Sequence, residues 1–270
     1  MPSELSVLLN DMGDAVQPDE FTGQVALVTG AAGYGIGTAT ARRFAAGGAT
    51  VIVTDSHEKR THLVTDELRG IFGDDRIHGY VLDCGDMANI KGVVERVTDD
   101  VGPVTVLVNN AAYNIIRPIW EYELDDWRRV MAVNIDGPWY LCRLLMPVMR
   151  DVGGGVVINV GSYAPDVGGG GIEAPYAASK GALATLTRGL AHEGGPYNIR
   201  VNYVSMGFVR GTRFAEKHPE LMDAPGTYGP LGRLPHADDI AETIAFLASN
   251  RAAYITGEIV NVSSGSYMRS

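Results

Sequence analysis

The stretch VALVTGAAGYGIGTATARRF, residues 25–44, decides the fold class of this chain. It begins with a short run of aliphatic and β-branched residues, continues through the glycine-rich loop 29–37, and ends in a helical pattern over 38–48 that two glycines terminate. A strand, a glycine loop and a helix in this order are typical of a parallel α/β unit, because the glycines allow a tight turn and close helix–strand packing.

The same alternation of strand and helix continues along the chain. The apolar runs are continuous rather than alternating, which is typical of strands covered on both faces, as in a parallel sheet. Helical patterns separate them, and we expect Pro138 to break the helical stretch 124–150. The predicted strands are 25–29, 50–55, 77–83, 104–110, 155–161, 199–205 and 258–262. The sequence therefore predicts an α/β fold, a doubly wound seven-stranded parallel sheet with helices on both faces.

Composition limits the possible partners. The chain has 270 residues with 22 basic and 32 acidic side chains, a net charge of −10, which argues against nucleic acid and anionic membrane surfaces. The two cysteines, Cys84 and Cys142, make no disulfide framework and suit a reducing, cytoplasmic location. Neither they nor the six histidines have the spacing of metal ligands, so we expect no metal site.

The two ends of the chain differ in character. Residues 1–20 are polar and acidic, and we interpret them as an N-terminal extension before a single domain over 21–270. The extension lacks the basic region of a secretory signal. No apolar run is long enough to span a bilayer, so we expect no membrane partner.

The glycine loop and an acidic residue after the second predicted strand indicate a dinucleotide site. Glycines at this position let the backbone approach a pyrophosphate at the N-terminus of the following helix. Asp55 ends the second strand, where a carboxylate accepts hydrogen bonds from the adenosine ribose and repels a 2′-phosphate. Ser56 follows it, and the glycine loop contains no lysine or arginine. These features favour NAD over NADP; an ordinary tight turn and a helix cap are the alternative explanations.

Tyr176 and Lys180 stand four residues apart in YAASK and share one face of a helix predicted over 176–193. A phenol acts as a base near neutral pH only if its phenolate is stabilised. A nearby ammonium does this, helped by the positive charge of an oxidised nicotinamide ring. Each residue taken alone is more often an ordinary surface side chain, so the pair gains meaning only from the motifs around it.

Those motifs, taken in order, resemble the short-chain dehydrogenase/reductase family over about residues 21–265. They are TGAAGYGIG, Asp83 after the third strand, NNAA at 109–112, Asn134 in MAVNIDG, Ser162 in NVGS, YAASK, IRVN at 199–202 and ITGEIVNVSSG. The chain departs from the family pattern in its glycine loop, which has one extra residue between Gly30 and Gly35. It also has Met206 before Gly207 where the family has proline.

The resemblance implies a Rossmann fold and a role for each motif residue. Tyr176 would be the general acid/base at the alcohol or carbonyl oxygen, and Ser162 would hydrogen-bond the same oxygen. Lys180 would lower the pKa of Tyr176 and hold the nicotinamide ribose, while Asn134 would hold a water that relays protons to Lys180. The implied cofactor contacts are Gly30, Gly35, Ile36, Gly37, Asp55, Ser56, Asp83, Cys84, Asn110, Ala111, Ala112, Tyr176, Lys180, Gly207 and Val209.

The substrate pocket is expected in the loops after the fourth to sixth strands. Its candidate residues are Tyr113, Tyr163, Ala164, Ile172, Glu173, Met206, Phe208 and the segment 211–230 with Phe214. Because this set is mostly apolar and aromatic, it predicts a hydrophobic or ring-shaped secondary alcohol or ketone. Glu173 would meet either a polar substrate group or only solvent.

We therefore expect an NAD-dependent alcohol dehydrogenase or ketone reductase. Two alternatives remain open: a non-catalytic NAD-binding sensor or scaffold on the same fold, and a non-redox lyase or epimerase. The resemblance also implies a homotetramer (or dimer). The apolar stretch 141–149 is either shared between subunits or packed internally.

Overall fold

The computed structural model describes residues 17–222 and 227–268, and it confirms the predicted fold class. Seven parallel strands form one sheet in the order β3-β2-β1-β4-β5-β6-β7. Each strand lies within its predicted run except β6, which extends one residue further. The strands are β1 (Val25–Val28), β2 (Thr50–Asp55), β3 (Ile77–Val81), β4 (Val106–Asn109), β5 (Gly155–Val160), β6 (Ile199–Met206) and β7 (Ile259–Val262).

Helices cover both faces of the sheet. They are α1 (Ile36–Ala46), α2 (Glu58–Phe72), α3 (Met87–Asp100), α4 (Leu124–Met131), α5 (Gly137–Asp151), α6 (Ala174–Gly194), α7 (Arg213–Lys217), α8 (Pro219–Met222) and α9 (Ala237–Ala248). One hydrophobic cluster packs α1, α2 and α9 against the sheet, and a second packs α3, α5 and α6. In β1, Ala26 and Val28 belong to the first cluster and Leu27 to the second. This two-sided burial explains why the strands are continuous apolar runs.

The strand order reverses beside β1, and this places the functional cleft. β1 pairs with β2 on one side, with Leu27 opposite Ile52, and with β4 on the other, with Leu27 opposite Leu107. The loops that follow β1 and β4 therefore diverge, leaving a crevice at the carboxyl ends of the strands. The glycine loop opens directly into it.

The predicted break at Pro138 is wrong. The chain stays helical from α4 through a π-helical turn, Ala132–Asp136, into α5. The backbone N–H of Gly137 donates to the carbonyl of Ala132, five residues back. Pro138 lies in the first turn of α5, where its missing N–H and its fixed φ are tolerated. The π turn adjusts the helix without ending it.

The end of the predicted extension packs against the domain. The side chain of Glu20 is only 7% exposed and forms ion pairs of 2.6 Å with both Arg43 and Arg251. Arg43 is itself buried and also pairs with Glu242 at 2.8 Å. Glu20 thus joins α1, α9 and the turn after α9. Residues 1–16 of the extension lie outside the described residues.

The apolar stretch 141–149 packs mainly inside the subunit. Leu141, Leu145 and Met149 are fully buried in the cluster beneath α5. Of the two uses left open by the sequence, internal packing therefore accounts for these three side chains. Within 17–222 and 227–268, no helix has the length and apolar character needed to cross a bilayer.

Candidate active site

The glycine loop forms the phosphate end of the crevice. Gly30 and Gly35 have φ values of +62° and +143°, in the region that favours glycine. A Cβ on Gly37 would lie 2.4 Å from the carbonyl oxygen of Gly30 and 2.5 Å from the Asn110 side chain. Side chains are thus excluded where the loop meets the N-terminus of α1. This geometry fits a pyrophosphate, which such loops bind through backbone N–H groups and the helix dipole.

The side chain of Thr38 closes the longer glycine loop with local hydrogen bonds. Thr38 donates its hydroxyl to the carbonyl of Ala31 at 2.7 Å and accepts the N–H of Gly33 at 3.3 Å. The side chain of Tyr34 is pushed outward and is 84% exposed. α1 begins at Ile36, two residues before the predicted start, so the added residue leaves the loop-to-helix junction intact.

A cavity of about 790 Å³ runs from the glycine loop to α7 and to His218 just after it. The structure brings the whole predicted cofactor set to its wall. These residues are Gly30, Gly35, Ile36, Gly37, Asp55, Ser56, Asp83, Cys84, Asn110, Ala111, Ala112, Tyr176, Lys180, Gly207 and Val209. Ser162 lines the same cavity, whereas Asn134 does not.

Asp55 has one carboxylate oxygen engaged and one open. Oδ1 accepts the N–H of His57 at 3.0 Å and a hydrogen bond from Arg60 Nη2 at 3.4 Å. Oδ2 accepts none from the residues that the structure describes. Arg60 also donates to the carbonyl of Ala32 at 3.0 Å and lines the cavity. Sequence reasoning missed Arg60, although its place in the first turn of α2, five residues after Asp55, was a signal.

Asp83, one of the implied cofactor contacts, is held by an ion pair and a backbone hydrogen bond. Its carboxylate accepts two hydrogen bonds from Arg129, at 2.9 and 3.0 Å, and one from the N–H of Gly85 at 2.8 Å. Arg129, which also lines the cavity, comes from α4 and was not predicted. No sequence signal joins two residues 46 positions apart.

The cysteines are buried and inert. Burial raises the pKa of Cys84 and of Cys142 to about 12, so both thiols stay protonated at neutral pH. Neither has the lowered pKa of a reactive thiol. Among the residues that the structure describes, no group of three or more His, Cys, Asp or Glu side chains could hold a metal ion.

Ser162, Tyr176 and Lys180 meet in the middle of the cavity. Ser162 follows β5, and its hydroxyl hydrogen-bonds the phenol of Tyr176, which lies in the first turn of α6. Lys180, one turn further along α6, lies with Nζ 5.7 Å from the centre of the Tyr176 ring. Its Nζ donates to the carbonyl of Val160 at 2.8 Å. The group can therefore exchange a proton with an oxygen bound beside Tyr176 and Ser162.

The protein by itself raises, rather than lowers, the pKa of Tyr176. Burial is the largest cause, followed by the charge of Glu173 and by Tyr203, while the Ser162 hydrogen bond acts in the opposite direction. Burial lowers the pKa of Lys180 to about 8. The expected lowering of the Tyr176 pKa by Lys180 alone is therefore not seen, because burial of the phenol outweighs it. A positive nicotinamide ring would be needed to bring the pKa of Tyr176 below its ordinary value.

Tyr203 is a positioning residue that sequence reasoning missed. Its hydroxyl accepts the N–H of Ser162 at 2.9 Å and lies 3.1 and 3.3 Å from the carbonyl oxygens of Ser162 and Lys180. A Cβ on Gly161 would lie 1.7 Å from the Tyr203 ring, so glycine is required for this approach. Tyr203 on β6 thus ties the end of β5 to α6. Its only sequence signal was the glycine before Ser162.

Asn134 lies behind the cavity in the π-helical turn and is fully buried. Its Oδ1 accepts the N–H of Tyr113 at 2.8 Å. Its Nδ2 donates to the Tyr113 carbonyl at 2.9 Å and to Ser179 Oγ at 3.0 Å. The side chain therefore connects the loop after β4 to α6, and both of its N–H donors are occupied.

The substrate end of the cavity carries most of the predicted residues. They are Tyr113, Tyr163, Ala164, Glu173, Met206, Phe208 and Phe214. Ile172 does not line the cavity, and residues 223–226 of the predicted segment lie outside the described residues. Phe208 and Phe214 stack with ring centres 6.1 Å apart. Arg213 and Lys217 of α7 add positive charge to this wall, and His218 follows them; all three lie within the predicted segment 211–230.

Comparisons with known proteins agree with this geometry. The family model described as "Enoyl-(Acyl carrier protein) reductase" matches residues 30–266. The 3-oxoacyl-[acyl-carrier-protein] reductase FabG of Thermotoga maritima is 36% identical over 244 residues, covering 90% of this chain and 97% of the relative. A 3alpha-hydroxysteroid dehydrogenase of Mediterraneibacter gnavus is 34% identical, covering 88% of this chain and 95% of the relative.

A solved structure is similar across the whole fold. L-sorbose reductase from Gluconobacter frateurii, complexed with NADPH and L-sorbose, superimposes with a TM-score of 0.86 at 28% identity. The match covers 94% of this chain and 100% of that one. From the ordered motifs, the strand order, the cavity and these matches, we conclude that the chain belongs to the short-chain dehydrogenase/reductase family of oxidoreductases.

Proposed function

We propose that this protein is an NAD-dependent oxidoreductase that interconverts a hydrophobic or ring-shaped secondary alcohol and its ketone. The observation that carries the proposal is the meeting of Ser162, Tyr176 and Lys180 in the same cavity as the glycine loop. A non-catalytic dinucleotide sensor would not need a hydroxyl pair and a buried lysine beside the nicotinamide end.

Each residue of the group has a definite task in the proposed reaction. The cofactor supplies the hydride chemistry, and the chain positions the reacting carbon against it. In alcohol oxidation, Tyr176 takes the hydroxyl proton, and Ser162 donates a hydrogen bond to the same oxygen as its charge develops. Lys180, with a pKa lowered to about 8, can hold or release a proton close to the phenol. The Tyr203 hydroxyl hydrogen-bonds the backbone of both Ser162 and Lys180, and so holds the end of β5 beside α6.

The preference for NAD rests on Asp55, which lines the cavity. Its Oδ2 has no hydrogen-bond donor among the described residues and could accept hydrogen bonds from the ribose hydroxyls, and its charge would repel a 2′-phosphate. Arg60 favours a second candidate, NADP, because its guanidinium lies 3.4 Å from Asp55 and could meet a phosphate if the carboxylate turned away. The solved relative bound to NADPH also supports that candidate.

The substrate class rests on the cavity wall and on one relative. Tyr163, Met206, Phe208 and Phe214 form an apolar and aromatic surface suited to a ring. The related 3alpha-hydroxysteroid dehydrogenase is named for a ring-shaped secondary alcohol.

The first experiment is a titration of the purified protein with NAD and NADP, following thermal unfolding. A ligand at 100 times its dissociation constant adds roughly 2.7 kcal/mol of stability if it binds only the folded state. We expect stabilisation by NAD, little by NADP, and loss of this preference in Asp55→Ala. A stronger effect of NADP, removed by Arg60→Ala, would contradict the NAD assignment. No effect of either nucleotide would contradict the dehydrogenase proposal.

A panel of ring alcohols followed by NADH absorbance then tests catalysis. Tyr176→Phe serves as the matched variant, because it removes only the phenolic oxygen. We expect it to keep NADH binding and to lose turnover by roughly 10²–10⁴-fold. Equal turnover in the variant would exclude Tyr176 as the acid/base. Product formation without a change in NADH would favour the lyase or epimerase alternative.

A further inference from the structure

The substrate end of the cavity contains a carboxylate that the proposed chemistry does not use. Glu173 lies immediately before α6, three residues from Tyr176, and lines the cavity. Its Oε2 accepts a hydrogen bond of 2.5 Å from Asn114 Nδ2. Its Oε1 accepts no hydrogen bond from any residue in 17–222 or 227–268. One carboxylate oxygen of Glu173 is therefore held by Asn114, and the other is available to accept a hydrogen bond from a ligand.

The surroundings of Glu173 make this arrangement unfavourable for the stability of the folded protein. Burial raises the pKa of Glu173, which means that its charged form has lost part of its hydration. Asn114, which orients it, has a buried Oδ1 with no partner in the described part of the chain. A buried oxygen without a partner lowers stability. A role in packing alone would be met at lower cost by an apolar pair.

The charges of the cavity decide which ligand group suits Glu173. An anionic group would be repelled by the carboxylate. An ammonium group would meet the cations of Lys180 and Lys217 and the nearby imidazole of His218. A neutral hydroxyl can donate to Oε1 without either penalty, and hydrogen bonds to charged groups are among the stronger ones.

We propose that Glu173 accepts a hydrogen bond from a second hydroxyl group of the substrate, with Asn114 holding the carboxylate in place. The natural substrate is then a hydroxylated ring alcohol or hydroxyketone rather than a plain hydrocarbon ring. Because Glu173 and Tyr176 line the same cavity and the charge of Glu173 reaches the phenol, the second hydroxyl belongs to the same substrate molecule as the reacting one. This inference rests on the proposed function, since it assigns the second contact of the same substrate.

The test compares kcat/KM for cyclohexanol with that for 1,2-, 1,3- and 1,4-cyclohexanediol, using the cofactor that stabilises the protein. The quantity of interest is the ratio of kcat/KM for the best diol to that for cyclohexanol. One hydrogen bond to a charged group corresponds to a ratio of about tenfold or more. In Glu173→Ala we expect the ratio to fall to near one, and in Glu173→Gln, which keeps a carbonyl acceptor, to an intermediate value. Asn114→Ala should lower the ratio as well.

Binding is measured separately from turnover. We expect the diol to raise the unfolding temperature of the NADH-bound wild type more than cyclohexanol does, and this difference to vanish in Glu173→Ala. Unfolding with NADH alone shows whether each variant folds. The matched control is Glu216→Gln, an exposed acid of α7 outside the cavity wall, which should leave the ratio unchanged.

Two results would overturn the inference while leaving the proposed function in place. One is a wild-type ratio at or below one. The other is a ratio that survives in Glu173→Ala. Failure of the wild type to oxidise any of these alcohols, despite binding the cofactor, would instead contradict the proposed function and remove the basis of the inference.

Discussion

At the scale of single residues, the site depends on a few hydrogen bonds that fix three side chains. Ser162, Tyr176 and Lys180 come from the end of β5 and the start of α6. Tyr203 holds these two elements together from β6, and Asn134 holds α6 to the loop after β4. The groups assigned to the proposed reaction are therefore positioned by side chains that have no role in its proton transfer.

Tyr203→Phe tests this positioning role. Removing the hydroxyl leaves the buried N–H of Ser162 without its partner, which costs about 1–3 kcal/mol. We expect kcat to fall by about tenfold or more, with the dissociation constant for NADH nearly unchanged. Tyr80→Phe is the matched control, because its hydroxyl bonds Asp100 at 2.8 Å outside the cavity wall. Equal kcat in both variants would show that Tyr203 only packs.

The pH profile of alcohol oxidation tests the charge of Glu173. In the proposed reaction Tyr176 acts as a phenolate, so the rate is expected to rise with pH as the phenol loses its proton. Glu173 is one of the causes that raise the pKa of Tyr176. Glu173→Gln removes this negative charge, and we expect the rising limb to move to lower pH. The control Glu216→Gln should leave the rising limb in place. An unshifted limb in Glu173→Gln would show that the charge of Glu173 does not affect the phenol.

At the scale of secondary-structure elements, α1 and α9 are joined to the N-terminal turn by a buried ion-pair network. Arg43 is 1% exposed and pairs with Glu20 at 2.6 Å and with Glu242 at 2.8 Å. A buried guanidinium needs both carboxylates, because an uncompensated buried charge is costly. Although Glu20 lies in the predicted extension, it stabilises the face of the sheet that α1 and α9 cover.

We therefore expect Glu20→Ala to lower the free energy of unfolding by about 2–4 kcal/mol, since one of the two partners of Arg43 is lost. Denaturant unfolding without cofactor measures this. The control is Glu95→Ala, which breaks the exposed i,i+4 pair with Lys91 on α3 and should have little effect. A similar small effect for both variants would mean that Glu242 alone satisfies Arg43.

At the scale of the whole molecule, large apolar side chains remain exposed around α4 and α5. Trp120, Trp127 and Trp139 are 82%, 41% and 47% exposed. Exposed apolar groups of this size are common at interfaces between subunits. They support the proposal of a homotetramer, or a dimer, built through these helices.

Mass measurement in solution tests the assembly. A chain of 28.8 kDa should give a species of about four times, or about twice, that mass. We expect the double variant Trp127→Glu, Trp139→Glu to shift to smaller species. The control Leu63→Glu, on an exposed position of α2, should not. A monomeric wild type at micromolar concentration would contradict the proposal.

The sequence by itself determined the fold class, the strand positions and most of the residues that line the cleft. This was possible because buried parallel strands are continuous apolar runs, and because the glycine loop and YAASK are local motifs whose chemistry depends on close spacing. The motif order also placed Ser162 and Tyr176 at the ends of consecutive elements.

Only the tertiary structure decided how these residues act. Tyr203 meets Ser162 across 41 positions, and Arg129 meets Asp83 across 46. Pairs this far apart leave no periodic trace in the sequence. The raised pKa of Tyr176, the open oxygen of Glu173 and the π turn at Asn134 likewise depend on burial and packing between elements. Those are properties of the folded molecule, because water is excluded and partners are supplied only when distant segments meet.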